Sequence, residues 1–262
     1  MANDSKPRLA VFKLASCDGC QLQILNLEDE LLDIVGAIEV SYFLEARSRI
    51  DDGPYDVALV EGSVTTAHDI ERLRELRRKS QTLITLGACA SAGGIQALRN
   101  IQDVDEYTRA IYANPSYIHT LSQSTPVAAH VTTDFAINGC PISKEQLLEV
   151  ITALLIGRMP QLPTYSVCVE CKRRGNVCVL VSRGLACIGP VTQAGCGALC
   201  PAYNRGCFGC YGPMESANPD SLCQGLSGRG VPRADIIRLL NGITGWAEEF
   251  RSATEKLEKV FP

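Results

Sequence analysis

Along the first 160 residues, short apolar runs alternate with stretches whose apolar positions recur at helical spacing. Residues 9–15 read as a first strand, and residues 21–35, with Leu22, Leu25, Leu31, Leu32 and Val35, predict one helix after it. Second and third strands are predicted at 39–44 and 56–60, the latter following the turn residues Asp51, Asp52, Gly53 and Pro54. A charged helix comes next, with Ile70, Leu73 and Leu76 on one face and Thr66 as N-cap three residues before Asp69. Residues 82–86 form the fourth predicted strand and 131–137 the fifth. Ser143 opens the following helix, because its spacing to Gln146 fits a capping box and Ile142 and Leu147 stand at staple positions. Strands alternating with helices predict an α/β unit built on a parallel sheet.

After a link rich in Gly and Pro at 157–163, the periodicity fades and Cys, Gly and Pro take over. Such a segment cannot bury much apolar surface, so its order has to come from bound metal. The expected organisation is therefore two domains, 1–160 and 161–262. Residues 232–250 regain a pattern, with Ile236, Leu239, Leu240, Ile243 and Trp246 on one side and Pro232 in the first turn. That pattern predicts a terminal amphipathic helix for docking.

Composition sharpens the metal reading. The chain has 13 cysteines in 262 residues, and nine of them fall between Cys168 and Cys223. Disulfide scaffolds are short and secreted, whereas this chain is long and shows no secretory apolar run, so reduced thiolates that ligate metal are expected. A net charge of −4 argues against nucleic acid as a partner. No run of 18 apolar residues is present, so no membrane span is expected.

The four early cysteines share a topological position. Cys17 and Cys20 follow the first strand, Cys89 the fourth and Cys140 the fifth. Ligands of open parallel sheets bind outside the carboxyl ends of the strands, so these cysteines converge on one rim, where four thiolates can hold one [4Fe-4S] cluster. The competing reading is four unrelated buried thiols. Gly19, Gly87, Gly93, Gly94 and Gly139 lie beside them and permit close backbone approach. In the second part, nine cysteines suffice for two four-thiolate clusters with one left over. Cys168-x2-Cys171 and Cys207-x2-Cys210 are also zinc-like pairs, but the gap between them is longer, and holds more cysteines, than a zinc ribbon uses. Spacing alone leaves the pairing in this part open.

Five segments together carry a family resemblance: Cys17-Asp-Gly-Cys20, Val60-Glu-Gly-Ser63, Gly87-Ala-Cys89-Ala-Ser-Ala-Gly-Gly94, Asn138-Gly-Cys140-Pro141 and Cys187-Ile-Gly-Pro-Val-Thr192. In this order they resemble the small subunit of a [NiFe] hydrogenase. The resemblance implies a flavodoxin-like domain holding a proximal [4Fe-4S] cluster on Cys17, Cys20, Cys89 and Cys140, followed by an irregular domain with two further clusters. Many membrane-linked relatives bind the distal cluster through a His-x2-Cys pair. Cys168 stands where that His would be, which implies a distal set of Cys168, Cys171, Cys178 and Cys187. Those relatives also have a proline at the fourth corner of a medial [3Fe-4S] cluster. Here Cys200 takes that place, implying a medial [4Fe-4S] cluster on Cys196, Cys200, Cys207 and Cys210. Three [4Fe-4S] clusters in all are expected, working at low potential.

Both departures resemble the soluble cytoplasmic branch, and Cys168-Val-Glu-Cys171 with Gly189-Pro-Val-Thr-Gln-Ala-Gly-Cys196 is similar to the delta subunits of NADP-linked bidirectional hydrogenases, also called sulfhydrogenases. Small subunits serving a heterodisulfide reductase or a deazaflavin (F420)-reducing hydrogenase share much of the pattern. The expected partners are a large subunit holding nickel and iron and an electron-acceptor subunit carrying flavin or iron–sulfur clusters. A cytoplasmic location fits the lack of a twin-arginine leader or terminal anchor. Nickel is not expected on this chain: Arg205-Gly-Cys207-Phe-Gly-Cys210 only superficially matches the family's nickel motif, and no Asp-Pro-Cys occurs. No dinucleotide fingerprint or phosphate loop is present either, so pyridine nucleotide belongs to a partner. A zinc-stabilised interaction protein without redox function is the rival of a different class. The complex I subunit that shares the proximal-cluster domain is another, and it lacks the eight later ligands.

Remaining residues get structural or auxiliary expectations. His68, His119 and His130 stand alone and are assigned no chemistry. Cys223 is expected to be no ligand. Glu61 shares the rim of the early cysteines. Lys172, Arg173, Arg174, Arg183 and Arg205, among the later ligands, read equally as a solvated basic face or as groups that tune clusters or dock a partner.

Overall fold

The computed structural model describes residues 6–259. Five parallel strands, β1 (Arg8–Lys13), β2 (Glu39–Phe43), β3 (Tyr55–Glu61), β4 (Ser80–Leu86) and β5 (Phe135–Ile137), form one sheet in the order β2-β1-β3-β4-β5. This is the flavodoxin-like doubly wound order. Lys13 stands opposite Glu61, Glu61 opposite Leu86 and Leu86 opposite Ile137. The carboxyl ends of β1, β3, β4 and β5 are therefore level, and every loop leaving them starts from one rim.

Two apolar cores cover the sheet. Leu9, Val11, Leu59, Ile84 and Ile137 face one of them, and Ala10, Ala58, Val60 and Leu83 the other, the alternation expected of strands buried on both sides. The predicted helix 21–35 is instead two, α1 (Gly19–Leu25) and α2 (Asp29–Ala37), separated at Glu28, whose φ is 54°. The reason lies in the apolar register. Nine residues at about 100° each place Leu31 half a turn from Leu22, so one straight helix cannot bury both. Leu22, Leu32 and Val35 end up exposed, while Ile24, Leu27 and Ile34 fill the core.

The next helix, α3 (Ala67–Lys79), starts with the full reciprocal box: Asp69 N donates to Thr66 Oγ1 at 3.1 Å and Thr66 N to Asp69 at 2.9 Å. After β4 come α4 (Gly87–Ala92) and α5 (Val104–Ile111). The fifth strand is shorter than predicted. Ahead of it, Asp134 accepts hydrogen bonds from Leu83 N and Arg77 and fastens the edge. At α6 (Lys144–Leu155), Ser143 accepts from Gln146 N at 3.2 Å and Ile142 and Leu147 share the core, but the Gln146 side chain does not return to the cap.

The later residues form short helices around separate cores: α7 (Val167–Arg173), α8 (Val179–Ser182), α9 (Leu199–Ala202), α10 (Pro219–Ser227), α11 (Arg233–Leu240) and α12 (Glu248–Lys259). The predicted terminal helix 232–250 is broken after Leu240. Gly245 makes the break possible, since a Cβ there would lie 2.6 Å from Asn241 Cα. Of its apolar face, Ile236 and Leu240 are fully buried with Ile188, Val191 and Leu226, Leu239 packs against that core, and Ile243 and Trp246 are half-buried. Among the described residues, no helix is long and apolar enough to cross a membrane.

Candidate metal centres

The loop after β1 delivers the first two thiols. Asp18, at φ 66° and paired with Lys13 at 2.6 Å, makes the left-handed turn between Cys17 and α1. Cys20 then sits in the first turn of α1, where Glu61, at the end of β3, accepts from Cys20 N at 3.0 Å and Gln21 N at 3.2 Å. Glu61 is 1% exposed, and that burial raises its carboxyl above the usual range. Cys89 lies on α4, and Ala88 N donates to Gly139 O at 2.7 Å, tying its loop to that of Cys140. Gln96, unremarked in the sequence, links Ala15 O to the Cys89 thiol.

Two glycines shape this rim. A Cβ on Gly87 would stand 2.4 Å from Cys20 Sγ, and one on Gly94 2.6 Å from Cys89 Sγ. Both have positive φ, at 77° and 63°. The thiols lie near enough that a charge on one would raise the pKa of the next: Cys89 and Cys140 act so on Cys20, and Cys17 on Cys89 and Cys140. Cys17 and Cys140 are exposed and Cys20 is buried. Burial pushes the Cys20 thiol up, and that of Cys89 to about 11, so only a bound cation would make them thiolates at neutral pH.

In the later part, Cys168, Cys171, Cys178 and Cys187 all line one cavity of about 100 Å³. Cys168 and Cys171 lie one turn apart on α7, and Cys178 precedes α8. Cys187 Sγ accepts from Cys207 N at 3.2 Å. The buried amide Nδ2 of Asn176 has no nitrogen or oxygen partner, and the side chain faces the Cys171 sulfur. Cys196, Cys200 and Cys210 line a second, larger cavity of about 740 Å³, and Cys140 from the rim of the sheet lines it too. Cys207 is set apart. It is buried beside Cys187, receives Gly209 N at 3.5 Å, and interacts with both Cys187 and Cys210, between the two cavities. Burial pushes the Cys207 and Cys210 thiols up to about 12.

Glu170 binds these two regions together. From α7, between Cys168 and Cys171, it accepts from Gly195 N at 2.9 Å and Ala198 N at 3.1 Å, on either side of Cys196. The sequence offered a signal only in its position inside a Cys-x2-Cys pair. Of the basic residues, Arg174 donates to Gly197 O at 2.8 Å, Arg173 to the Tyr165 hydroxyl at 2.9 Å, and Arg205 covers the Phe208 ring. These three brace the loops. Cys223 packs in the terminal core, and His130 bonds to Thr125.

A parallel sheet whose strand ends bring four cysteines to one rim is continued by a loop-rich part in which seven more thiols line two cavities and Cys207 is buried beside Cys187. Residues 17–154 match the family described as NADH ubiquinone oxidoreductase, 20 Kd subunit, and the chain belongs to it. That match takes in Cys17, Cys20, Cys89 and Cys140 and ends before the other nine cysteines. Within the family the chain is a hydrogenase small subunit. It is 39% identical to sulfhydrogenase 2 subunit delta of Pyrococcus furiosus, over 91% of this chain and 100% of that one. It is 31% identical to a vhu F420-non-reducing hydrogenase subunit of Methanocaldococcus jannaschii, over 90% of this chain and 94% of that one. Among solved structures, a chain of an NAD+-reducing [NiFe]-hydrogenase superposes with a TM-score of 0.56 at 28% identity, covering 61% of this chain and 96% of that one. An actinobacterial-type NiFe-hydrogenase from Ralstonia eutropha H16 shares the fold over 97% of this chain and 90% of that one, at a TM-score of 0.56 and 18% identity. The chain is thus an electron-transfer subunit of a hydrogenase complex, of a type that carries iron–sulfur clusters and pairs with a NiFe large subunit.

Proposed function

We propose that the chain is the cytoplasmic small subunit of a [NiFe] hydrogenase that holds three [4Fe-4S] clusters and passes electrons between the large subunit and a diaphorase-type partner using NAD(P)H. Residues 1–160 would hold the proximal cluster on Cys17, Cys20, Cys89 and Cys140. Residues 161–262 would hold the medial cluster on Cys196, Cys200, Cys207 and Cys210 and the distal one on Cys168, Cys171, Cys178 and Cys187. The observation that carries this reading is the sharing of cavities: four cysteines line one, and three line the next together with Cys140. When bound, an iron–sulfur cluster accepts and releases single electrons.

The chain's own groups suit that load. Gly87 and Gly94 leave room for sulfur, Asn176 offers a donor to it, and Cys207 N already donates to one ligand.

Relatives from F420-non-reducing hydrogenases match 79–90% of this chain, whereas the NAD-reducing hydrogenase relatives match only 61–62% and so leave much of it without a counterpart. The test is to purify the complex without oxygen, reduce it with H2 and offer NADP, NAD, F420 or a heterodisulfide. Rapid NADP reduction with loss of the reduced-cluster spectrum is expected. Bleaching by H2 with no transfer to either nucleotide would remove the diaphorase partner.

A further inference from the structure

Gln146 sits on α6 in the sheet part, with its side chain turned away from the cap that its backbone completes. It is 8% exposed, and its side-chain Nε2 is buried with no hydrogen-bond partner. Leaving an amide donor unmade in a protein interior is costly, so such groups are rare unless something is there to accept. Nε2 lies against Gly195, where a Cβ would come within 2.2 Å of it, and Gly195 precedes Cys196. Gln146 also lines the cavity formed by Cys196, Cys200 and Cys210. The sulfurs of Cys196, Cys200 and Cys210 line the same cavity and are acceptors on that side.

We propose that Gln146 donates its side-chain N–H to sulfur at the medial centre and raises the reduction potential there. This rests on the medial site of the proposed function. A donor to sulfur stabilises the extra negative charge of the reduced state more than the oxidised one. Because α6 belongs to the sheet part, the half of the chain that carries the proximal site also sets how readily the next site takes an electron. Gln146 acts through a hydrogen bond and is a positioning residue, not a catalytic one.

The experiment is a redox titration, followed by electron paramagnetic resonance, of the whole complex carrying wild-type, Q146M or Q146E small subunit, with iron counted in each. Methionine keeps the volume and removes the donor. Glutamate keeps the shape and adds negative charge. The expected result is full iron content with about a tenfold loss in the medial reduction equilibrium for Q146M, about 59 mV for one electron, a larger loss for Q146E, and no change at the other two sites. Full iron content with unchanged medial potentials overturns the proposal. Loss of about four irons in both variants also overturns it, by making Gln146 a structural prop. A wild-type complex without a medial signal instead overturns the reading beneath it.

Discussion

Glu61 Oε1 accepts a hydrogen bond from the backbone nitrogen of Cys20 at 3.0 Å, across 41 residues of chain. Its other oxygen takes Gln21 N, so one carboxylate on a strand end satisfies two of the free N–H groups that open α1. β1 and β3 are neighbours with Lys13 opposite Glu61, which puts the carboxylate within reach. Replacing Glu61 with Ala leaves both donors buried and unpaired, and a loss of about 2–4 kcal/mol is expected. Glu61→Gln keeps one acceptor and falls between. Denaturant unfolding together with iron content checks the order, and an alanine variant as stable and iron-rich as wild type would refute it.

Gly87 and Gly94 set the space for two of the thiols. Alanine at Gly87 would press on Cys20 Sγ at 2.4 Å and on Gly139 O at 3.1 Å, at a φ of 77° that L residues rarely adopt. The expected outcome for Gly87→Ala is loss of about four irons per chain, one cluster's worth, with the later clusters retained. Gly36→Ala, where a Cβ meets nothing within 4 Å, should keep them all. A Gly87→Ala protein with full iron would contradict the packing argument.

Glu170 fixes the loop of Cys196 to the helix of Cys168 and Cys171. Glu170→Gln retains one acceptor and the shape, so its iron content should hold while the medial potential rises as the negative charge is removed. Glu170→Ala frees Gly195 N and Ala198 N together, and it should lose medial iron first. Iron analysis and redox titration of the two variants decide this, and identical behaviour of both with wild type would end it.

His130 supplies a pH dependence. Burial, aided by the nearby Arg74 charge, lowers its pKa below the ordinary 6.5. Its ring nitrogen sits 2.7 Å from Thr125 Oγ1. Below about pH 6.5 the unfolded chain binds a proton that the folded one refuses. Stability is therefore full above that value and declines as pH falls through the folded pKa. His130→Gln should flatten the fall in Tm between about pH 7 and about pH 5.5. An equally steep fall in the variant would place the dependence elsewhere.

Much of this was legible along the chain because it depended on local spacing. The strand ends, the Thr66 cap, the start of α6 and the strand-end places of Cys17, Cys20, Cys89 and Cys140 all follow from neighbours in sequence. The break at Glu28 was readable too, from the half-turn between Leu22 and Leu31, but only if the two ends of the pattern are compared with each other and not each with a helix. The break after Leu240 turns on Gly245 folding back onto Asn241, a tertiary constraint. In the sequence Glu170 is marked only by its place inside a Cys-x2-Cys pair, and Gln146 reads only as the capping-box partner of Ser143. Their partners are loops 25 and 49 residues away that only the folded chain brings near. Cys207 shows the same limit from the other side, since its place between Cys187 and Cys210 comes from burial, not from spacing.

Whether the twelve thiols hold cubanes is decided by iron and acid-labile sulfide per chain, measured with zinc and nickel on oxygen-free complex and on the small subunit alone. Three four-iron clusters require about twelve irons and about twelve sulfides per small subunit, with nickel only when the large subunit is present. Two zincs with little sulfide would contradict the cluster assignment, and about four irons would confine it to the rim of the sheet.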